Sequence, residues 1–397
     1  MTYEKLSGLV SLASNSPGPT GYGVQAEYLV RYMKRHGLNV AILSNYGKEG
    51  GIGEYRTKHG VVPHYPRGVA PYSQDVLTPW HEHHRATAPD LKHAIMTLYD
   101  VWVYEAWKDE IPVVSWVPLD HVTLPPKVAR FLSRDNVTPV AMAPHGKRQL
   151  ENAGIECAYV PHAVNTKVFQ NTPKIMGPEG MTPTRELLGI GDDTFLVAMV
   201  AANKANGIVH RKAYDINFLS FAAHLQSHPD SHLYVHADPA PNVGGFDLAV
   251  LARVCGIPAE KITFANRDQY RVGYTQEELA ALYSAADVLL APSYGEGFGV
   301  PTIEAQACGT RVIASGWAAS SDLVAEDGWL VQGQPFWDEP QKGFYQVPLL
   351  DSVVSALALA DKERGFSAVS RKFALDFDDE KVWGDYWMPF LKEYFSG

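Results

Sequence analysis

The residues with the clearest capacity for chemistry lie in one run, from Asp287 to Gly309. Val288 to Ala291 is apolar, Gly295, Gly297 and Gly299 alternate around Glu296 and Phe298, and Pro301 suits the first turn of a helix. The pattern reads strand, glycine loop, helix. Backbone N–H groups near Gly297 to Thr302 then lack intrahelical partners and face the carboxyl edge of a sheet, where anions bind. The glycines allow close approach of a ligand, and Glu296 accepts hydrogen bonds from hydroxyl donors, with Glu304 about one turn into the helix. Phosphate beside two glutamates is coherent where the glutamates grip neutral polyols. A sugar nucleotide presents that combination.

A second loop is basic, with Asn203-Lys204 preceding His210-Arg211-Lys212, and by its residues alone also reads as a solvated basic loop. Where a diphosphate binds, two adjacent cations match its two phosphates, and preorganised positive charge stabilises what builds up if it departs. Arginine adds a bidentate fork. In the first half, Thr20-Gly21-Tyr22-Gly23 opens a helical pattern, and Val117-Pro118-Leu119-Asp120-His121 follows an apolar strand. By their residues alone, the first reads equally as an ordinary βα turn and the second as a polar loop with a structural histidine. His81-Glu82-His83-His84 does not complete HExxH, because Arg85 stands where the second histidine belongs. It is expected to be a polar helix surface, and no metal is expected.

These loops need strands and helices to position them. Gly8 to Ala13 is apolar, Gly21 to Arg35 places Ala26, Leu29 and Met33 at helical spacing before Gly37, and Leu38 to Ser44 is apolar again, a βαβ start. Ala94 to Leu98, Val113 to Val117, Pro139 to Ala143 and Cys157 to Val160 read as further strands. Asn171 to Pro183, with its prolines and glycines, reads as an irregular connector. The alternation restarts with strands at Phe195 to Ala201, His232 to His236, Lys261 to Ala265, Val288 to Ala291 and Arg311 to Ala314. Helices are expected at Tyr214 to Gln226, Asp247 to Cys255 and Glu277 to Ala286. Lys381 to Tyr394 is an amphipathic terminal helix. Such alternation implies an α/β fold with parallel sheets.

With 397 residues, two domains are expected. Hydrophobic residues at 46% and charged residues at 20% describe a globular chain. Lysine plus arginine number 34 against 44 acidic residues, a balance that disfavours dedicated nucleic-acid binding. Cys157, Cys255 and Cys308 are widely spaced and read as structural thiols. No run approaches the length of a membrane-spanning helix, and Met1 to Ser14 lacks a basic leader, so a cytoplasmic protein is expected, with any membrane association peripheral. Trp80, Trp102, Trp107 and Trp116 are expected to pack a core.

Glu296-Gly297-Phe298-Gly299, with Glu304 eight positions after the first glutamate, resembles the signature of the retaining GT-B glycosyltransferases of the group 1, family 4-like kind. The resemblance covers most of the chain in scattered blocks. Gly21 and Gly23 look like the family's N-terminal glycine loop, which approaches the donor diphosphate. Val160-Pro161-His162-Ala163-Val164-Asn165 is similar to its linker. Asp120-His121 resembles its acceptor-side loop. The chain departs from the family where Ala202-Asn203 replaces the usual Gly-Arg and the spacing to Arg211 is longer.

The resemblance implies two Rossmann-like domains with sheets facing a cleft: an acceptor domain over residues 1–165, a nucleotide-sugar domain over 166–375, and residues 376–397 crossing back to the first. It implies metal-independent transfer of a hexose-type sugar from a UDP- or GDP-sugar to an acceptor hydroxyl, with retention. Glu296, His121, Arg211 and Lys212 are then catalytic. Gly21, Gly23, Asn203, Gly297, Phe298, Gly299 and Glu304 bind the donor, and Asp120 orients the acceptor. A sugar, a lipid-linked sugar, a protein or a small molecule could accept; net charge disfavours a modified DNA base. A glycosidase or phosphorylase on a related scaffold, and a sugar-nucleotide-binding protein without transfer activity, are the rival readings.

Overall fold

The computed structural model describes residues 3–104, 107, 110–177, 180–204, 209–240 and 244–396. The chain divides into two compact units: Met1–Ala163 with Glu339–Gly343 and Asp379–Gly397, and Val164–Asp338 with Phe344–Asp378.

In the first unit, eight strands form one sheet: β1 (Leu9–Asn15), β2 (Asn39–Tyr46), β3 (Gly53–Thr57), β4 (Gly60–Tyr65), β5 (His93–Leu98), β6 (Val113–Val117), β7 (Val137–Ala141) and β8 (Ala158–Tyr159). Their order is β3-β4-β2-β1-β5-β6-β7-β8, parallel throughout except for the antiparallel β3–β4 pair. β1 is central and its apolar residues are fully buried, as expected of a parallel strand covered on both faces. Helices α1 (Gly21–Arg35), α2 (Leu77–Arg85), α3 (Pro126–Leu132) and α4 (Pro144–Asn152) complete this part of the unit. Thr20 caps α1 by accepting the Gly23 N–H, and Gly37, at φ 91°, lets the chain leave the helix end.

One expectation fails in α2. His81 and His84 are buried rather than exposed: the Ser11 hydroxyl on β1 sits 2.8 Å from His81 Nδ1 and 2.9 Å from His84 Nδ1. His81 Nε2 meets His93 Nδ1 at 2.9 Å, and His84 Nε2 meets Asn39 Oδ1 at 3.1 Å. The two residues lie three apart, on the face of α2 that packs on the sheet. Hydrogen bonds with β1, β2 and β5 make their burial tolerable. Among the described residues no group of three metal-ligating atoms converges there.

The second unit opens with an antiparallel ribbon, β9 (Lys174–Gly177) and β10 (Gly180–Pro183), in the segment expected to be irregular. Six parallel strands follow: β11 (Phe195–Val200), β12 (Ser231–His236), β13 (Ile262–Phe264), β14 (Val288–Ala291), β15 (Arg311–Ser315) and β16 (Trp329–Val331), in the order β13-β12-β11-β14-β15-β16. β17 (Gly333–Asp338) and β18 (Gly343–Pro348) form a separate pair. The helices are α5 (Thr184–Leu187), α6 (Tyr214–Leu225), α7 (Leu248–Val254), α8 (Arg267–Val272), α9 (Gln276–Ala285), α10 (Val300–Ala307), α11 (Leu350–Ala360) and α12 (Ala368–Ala374). Phe195, Phe218, Phe221, Leu233, Leu290 and Leu357 are among the residues of its core. Thr275 and Glu278 form a capping box that starts α9.

The C-terminal segment, α13 (Asp379–Val382), a π turn over Trp383–Trp387 and α14 (Met388–Ser396), belongs to the first unit. Trp383 stacks on Tyr32 of α1 with centroids 5.2 Å apart, and Arg35 forks onto Glu380 with two bonds of 2.8 Å. Trp387 meets Trp116 edge to face at 5.0 Å. A Cβ on Gly8 would stand 2.4 Å from the Phe395 ring, so the helix can pack this closely only over glycine.

Candidate functional site

The sheet of the second unit is wound outward from β11: one half runs through β12 to β13, the other through β14 to β16. The loops leaving β11 and β14 therefore diverge at their carboxyl ends and leave a crevice over the sheet edge, the usual ligand position in such folds. The loop after β11 carries Arg211 and Lys212, and the loop after β14 carries Gly295 to Gly299.

Backbone bonds lace the two loops together. The Tyr294 N–H donates to the Arg211 carbonyl at 2.8 Å, and Arg211 Nη1 donates to the Gly295 carbonyl at 2.6 Å. Asn217 reaches from α6 to the Pro292 carbonyl at 3.0 Å. The Glu296 carboxylate lies between two cations: Lys212 Nζ is 2.6 Å from Oε1, and Arg211 Nη1 is 3.1 Å from Oε2. The Glu296 carbonyl accepts the Ala319 N–H at 3.2 Å. Two cations thus hold one carboxylate at the crevice. The Glu296 side chain is only 13% exposed, so solvent screens the cluster weakly.

Tight turns flank the cluster. Ala213, directly after Lys212, has φ 48°, and Ala318, directly before Ala319, has φ 51°. Left-handed backbone at a residue with a Cβ costs roughly 1–3 kcal/mol and gathers at ligand-holding sites. Gly299, at φ 95°, starts α10, and no side chain caps that helix's first amides. Those amides supply the positive end of the helix dipole beside Glu296.

Glu304, one turn into α10, is buried. Its Oε2 accepts the Tyr283 hydroxyl of α9 at 2.9 Å. Burial pushes its carboxyl up to about 7, against a smaller downward pull from the Tyr283 hydrogen bond. Phe298 is buried with its ring edge to face against Phe377 at 5.8 Å, which locks the glycine loop from beneath.

Asn203, expected at the donor, has its side-chain amide engaged within the protein. Its Nδ2 donates to the Asp238 and Phe246 carbonyls, each at 2.8 Å, and its Oδ1 lies 3.0 Å from the Phe246 N–H and from His210 Nε2. Both donors and both acceptor positions of the amide are engaged within the protein. Asn203 thus pins the loop that delivers Arg211 and Lys212.

The structure brings Glu296, Arg211 and Lys212 into direct contact, with Gly297, Phe298 and Gly299 on the same loop as Glu296 and Glu304 on the helix that follows. Gly21, Gly23, Asp120 and His121 belong to the first unit. Gly21 is exposed with open space where a Cβ would stand, whereas a Cβ on Gly23 would lie 2.7 Å from the Gly18 carbonyl oxygen. His121 is buried, with Nδ1 2.7 Å from Asp120 Oδ1, and its carbonyl lies 2.9 Å from His145 Nε2.

Sequence reasoning did not find Tyr283, Asn217, Ala213, Ala318 or Ala319. Tyr283 sits among apolar residues of α9, and nothing in its spacing marks a hydroxyl aimed at Glu304. Alanine carries no sign of a left-handed backbone.

The Glycosyl transferases group 1 family matches residues 247–338, a stretch that includes Glu296 and Glu304. The D-inositol 3-phosphate glycosyltransferase of Streptomyces avermitilis is 34% identical over 169 residues, which cover 41% of this chain and 34% of that protein. The chain thus spans about a third of the length of the curated relatives it matches. Sucrose-phosphate synthase from Thermosynechococcus elongatus has the same fold, with a TM-score of 0.71 at 17% identity, over 98% of this chain and 100% of that one. Anabaena HepE in complex with UDP and glucose superposes with a TM-score of 0.61 at 15% identity, over 95% and 97% of the two chains. The chain is a GT-B-fold relative of the glycosyltransferases, carrying a Glycosyl transferases group 1 segment at residues 247–338.

Proposed function

We propose that the chain transfers a hexose-type sugar from a UDP- or GDP-sugar to an acceptor hydroxyl, with retention of configuration and without a metal ion at the donor. The observation that carries this reading is the Glu296 carboxylate held between Lys212 and Arg211 where the loops after β11 and β14 meet. Its cations suit a diphosphate and its carboxylate suits sugar hydroxyls. The UDP and glucose held by HepE, a protein of the same fold, support the choice of donor.

In this reading the Lys212 ammonium and the Arg211 guanidinium take the two phosphates. As the bond from the sugar's anomeric carbon to the diphosphate oxygen breaks, its electron pair goes to that oxygen, and the two cations with the first amides of α10 stabilise the new charge. The leaving phosphate oxygen accepts the acceptor's proton as the new bond forms on the same face. Glu296 orients the hexose, Glu304 receives ribose hydroxyls through its remaining oxygen, and Gly297 to Gly299 let the backbone close on the phosphates. Residues 1–165 are assigned to the acceptor, with Asp120 orienting its hydroxyl, His121 on the donor hexose and Gly21 and Gly23 toward the diphosphate. Residues 166–375 are assigned to the donor, and residues 376–397 to packing on the first domain.

A glycosidase needs two carboxyl groups flanking one bond. Here Glu296 is held by cations and Glu304 is buried against a tyrosine, an arrangement for binding rather than for acid and nucleophile work. The test is thermal stabilisation by UDP-, GDP- and ADP-sugars, followed by an assay for release of the nucleotide with an acceptor mixture. One UDP- or GDP-sugar is expected to stabilise the chain; if none of the three classes binds, the reading fails.

A further inference from the structure

α6 ends at Leu225, and residues 226–230 turn the chain into β12. His224 and His228, four residues apart, therefore lie at the amino-terminal edge of the second sheet, opposite the edge that carries Arg211 and Glu296. α11 ends at the same place, with Asp361 as its C-cap. One nitrogen of each imidazole and one oxygen of the Asp361 carboxylate all lie within 4.8 Å of one another.

The other ring nitrogens already have partners. His224 Nε2 is 3.2 Å from Ser231 Oγ, and His228 Nδ1 is 2.9 Å from Ser227 Oγ. That leaves His224 Nδ1, which is buried with no hydrogen-bond partner, and His228 Nε2, which is 3.8 Å from Asp361 Oδ2. Hydrogen bonds of this outer kind fix the tautomer and orientation of imidazoles that bind metals.

We propose that His224, His228 and Asp361 bind a divalent transition-metal ion of the zinc type, which would tie the end of α6 to the end of α11. Two imidazoles and a carboxylate are ligands zinc accepts, with a fourth position left for water, whereas Mg²⁺ and Ca²⁺ prefer oxygen alone. The two rings now lie parallel, with centroids 4.1 Å apart and planes within 4°, so their lone pairs run side by side. His228, with 28% of its side chain exposed, turns to converge on the ion while His224 stays fixed. Arg364 bonds Asp361 Oδ1 at 2.8 Å, leaving Oδ2 for the metal, and its charge keeps the affinity below that of a closed four-ligand site. The bound ion acts on the stability of the second unit and takes no part in the donor chemistry proposed above.

The experiment uses the full chain without a histidine tag, titrated with Zn²⁺ under equilibrium dialysis and thermal unfolding. One ion is expected to bind saturably and to be removed by EDTA. Tm should rise by roughly 5 °C at a hundredfold excess over Kd. Mg²⁺ should do neither. His228→Ala and Asp361→Asn should abolish the binding, while His83→Ala, at an exposed histidine elsewhere, should leave it intact. Co²⁺ in place of zinc should give a visible absorption band that His228→Ala removes. Absence of saturable one-to-one binding, or binding that survives His228→Ala, overturns the proposal.

Discussion

Lys212 Nζ lies 2.6 Å from Glu296 Oε1, while Arg211 holds the other oxygen of the same carboxylate. Glu296→Gln should lower the transfer rate by about 10²-fold or more. UDP affinity should stay level or rise, because the substitution removes the carboxylate charge that competes with the diphosphate for both cations. Lys212→Ala should weaken UDP binding by about tenfold, and the pair should show a coupling of about 0.5–3 kcal/mol in a double-mutant cycle. Equal loss of UDP affinity in both single variants would separate Glu296 from the sugar.

The Glu304 carboxyl, pushed up to about 7, is protonated more readily in the folded chain than in the unfolded one. Its contribution to stability is therefore fully present below about pH 4.5 and is lost as pH rises through about 7. Between pH 4 and pH 8 the stability of Glu304→Gln relative to the parent should move by ~3 kcal/mol in the variant's favour. Urea unfolding at the two pH values measures it, and an unchanged difference would contradict the burial of an ionisable group here. If ribose hydroxyls bind this carboxyl, UDP binding near pH 7 should also release protons, seen by calorimetry in buffers of different ionisation enthalpy.

Gly21 and Gly23 separate a ligand role from a packing role. Gly23→Ala brings a Cβ to 2.7 Å from the Gly18 carbonyl oxygen and should cost about 1–3 kcal/mol of stability. Gly21→Ala meets nothing within 4 Å and should unfold within about 0.5 kcal/mol of the parent. A loss of UDP-sugar affinity in Gly21→Ala without loss of stability is the expected signature of a glycine that faces the donor.

Burial lowers His81 to about 3 and His84 to about 4. Both are neutral in the fold and take up protons on unfolding, so the stability they support is present above about pH 6.5 and falls as pH drops toward 4. His81 alone should account for ~3 kcal/mol lost by pH 4.5. His81→Gln should flatten the fall in unfolding free energy between pH 6.5 and pH 4.5; a slope equal to the parent's would rule out His81 as a source.

Gly8 and Phe395 should act as a pair. Gly8→Ala forces a Cβ into the Phe395 ring and should destabilise the chain by about 1–3 kcal/mol, with Phe395→Ala in the same chain recovering part of the loss. Additive losses would mean that the ring is free to move aside.

Much of the candidate site could be read from the sequence, because it depends on local pattern. A strand, an alternating glycine loop and a proline-led helix are each encoded within a few residues, so the run from Asp287 to Gly309 disclosed its backbone and the place of Glu296. The adjacency of Arg211 and Lys212 is likewise local. Burial is harder to read: His81 and His84 look polar in sequence and lie in the interior, since only the packing of α2 on β1 decides which face of the helix is hidden.

Other relationships depend on residues far apart in the chain. Tyr283 reaches Glu304 across 21 residues, Arg211 reaches Glu296 across 85, and the amide of Asn203 is consumed by carbonyls 35 and 43 residues away. A side chain's type tells which bonds it is able to form, while the strand order settles which partners arrive. Hydrophobic period and backbone freedom, both local properties of the chain, are enough to specify the parallel α/β architecture and the glycine loop. Long-range packing sets Glu296 between two cations, buries Glu304 so that its carboxyl is pushed up to about 7, and makes Asn203 hold its loop in place. The first follows from the adjacency of β11 and β14, the second from the meeting of α9 with α10, and the third from the loop after β12 reaching the loop after β11, none of which a local pattern encodes.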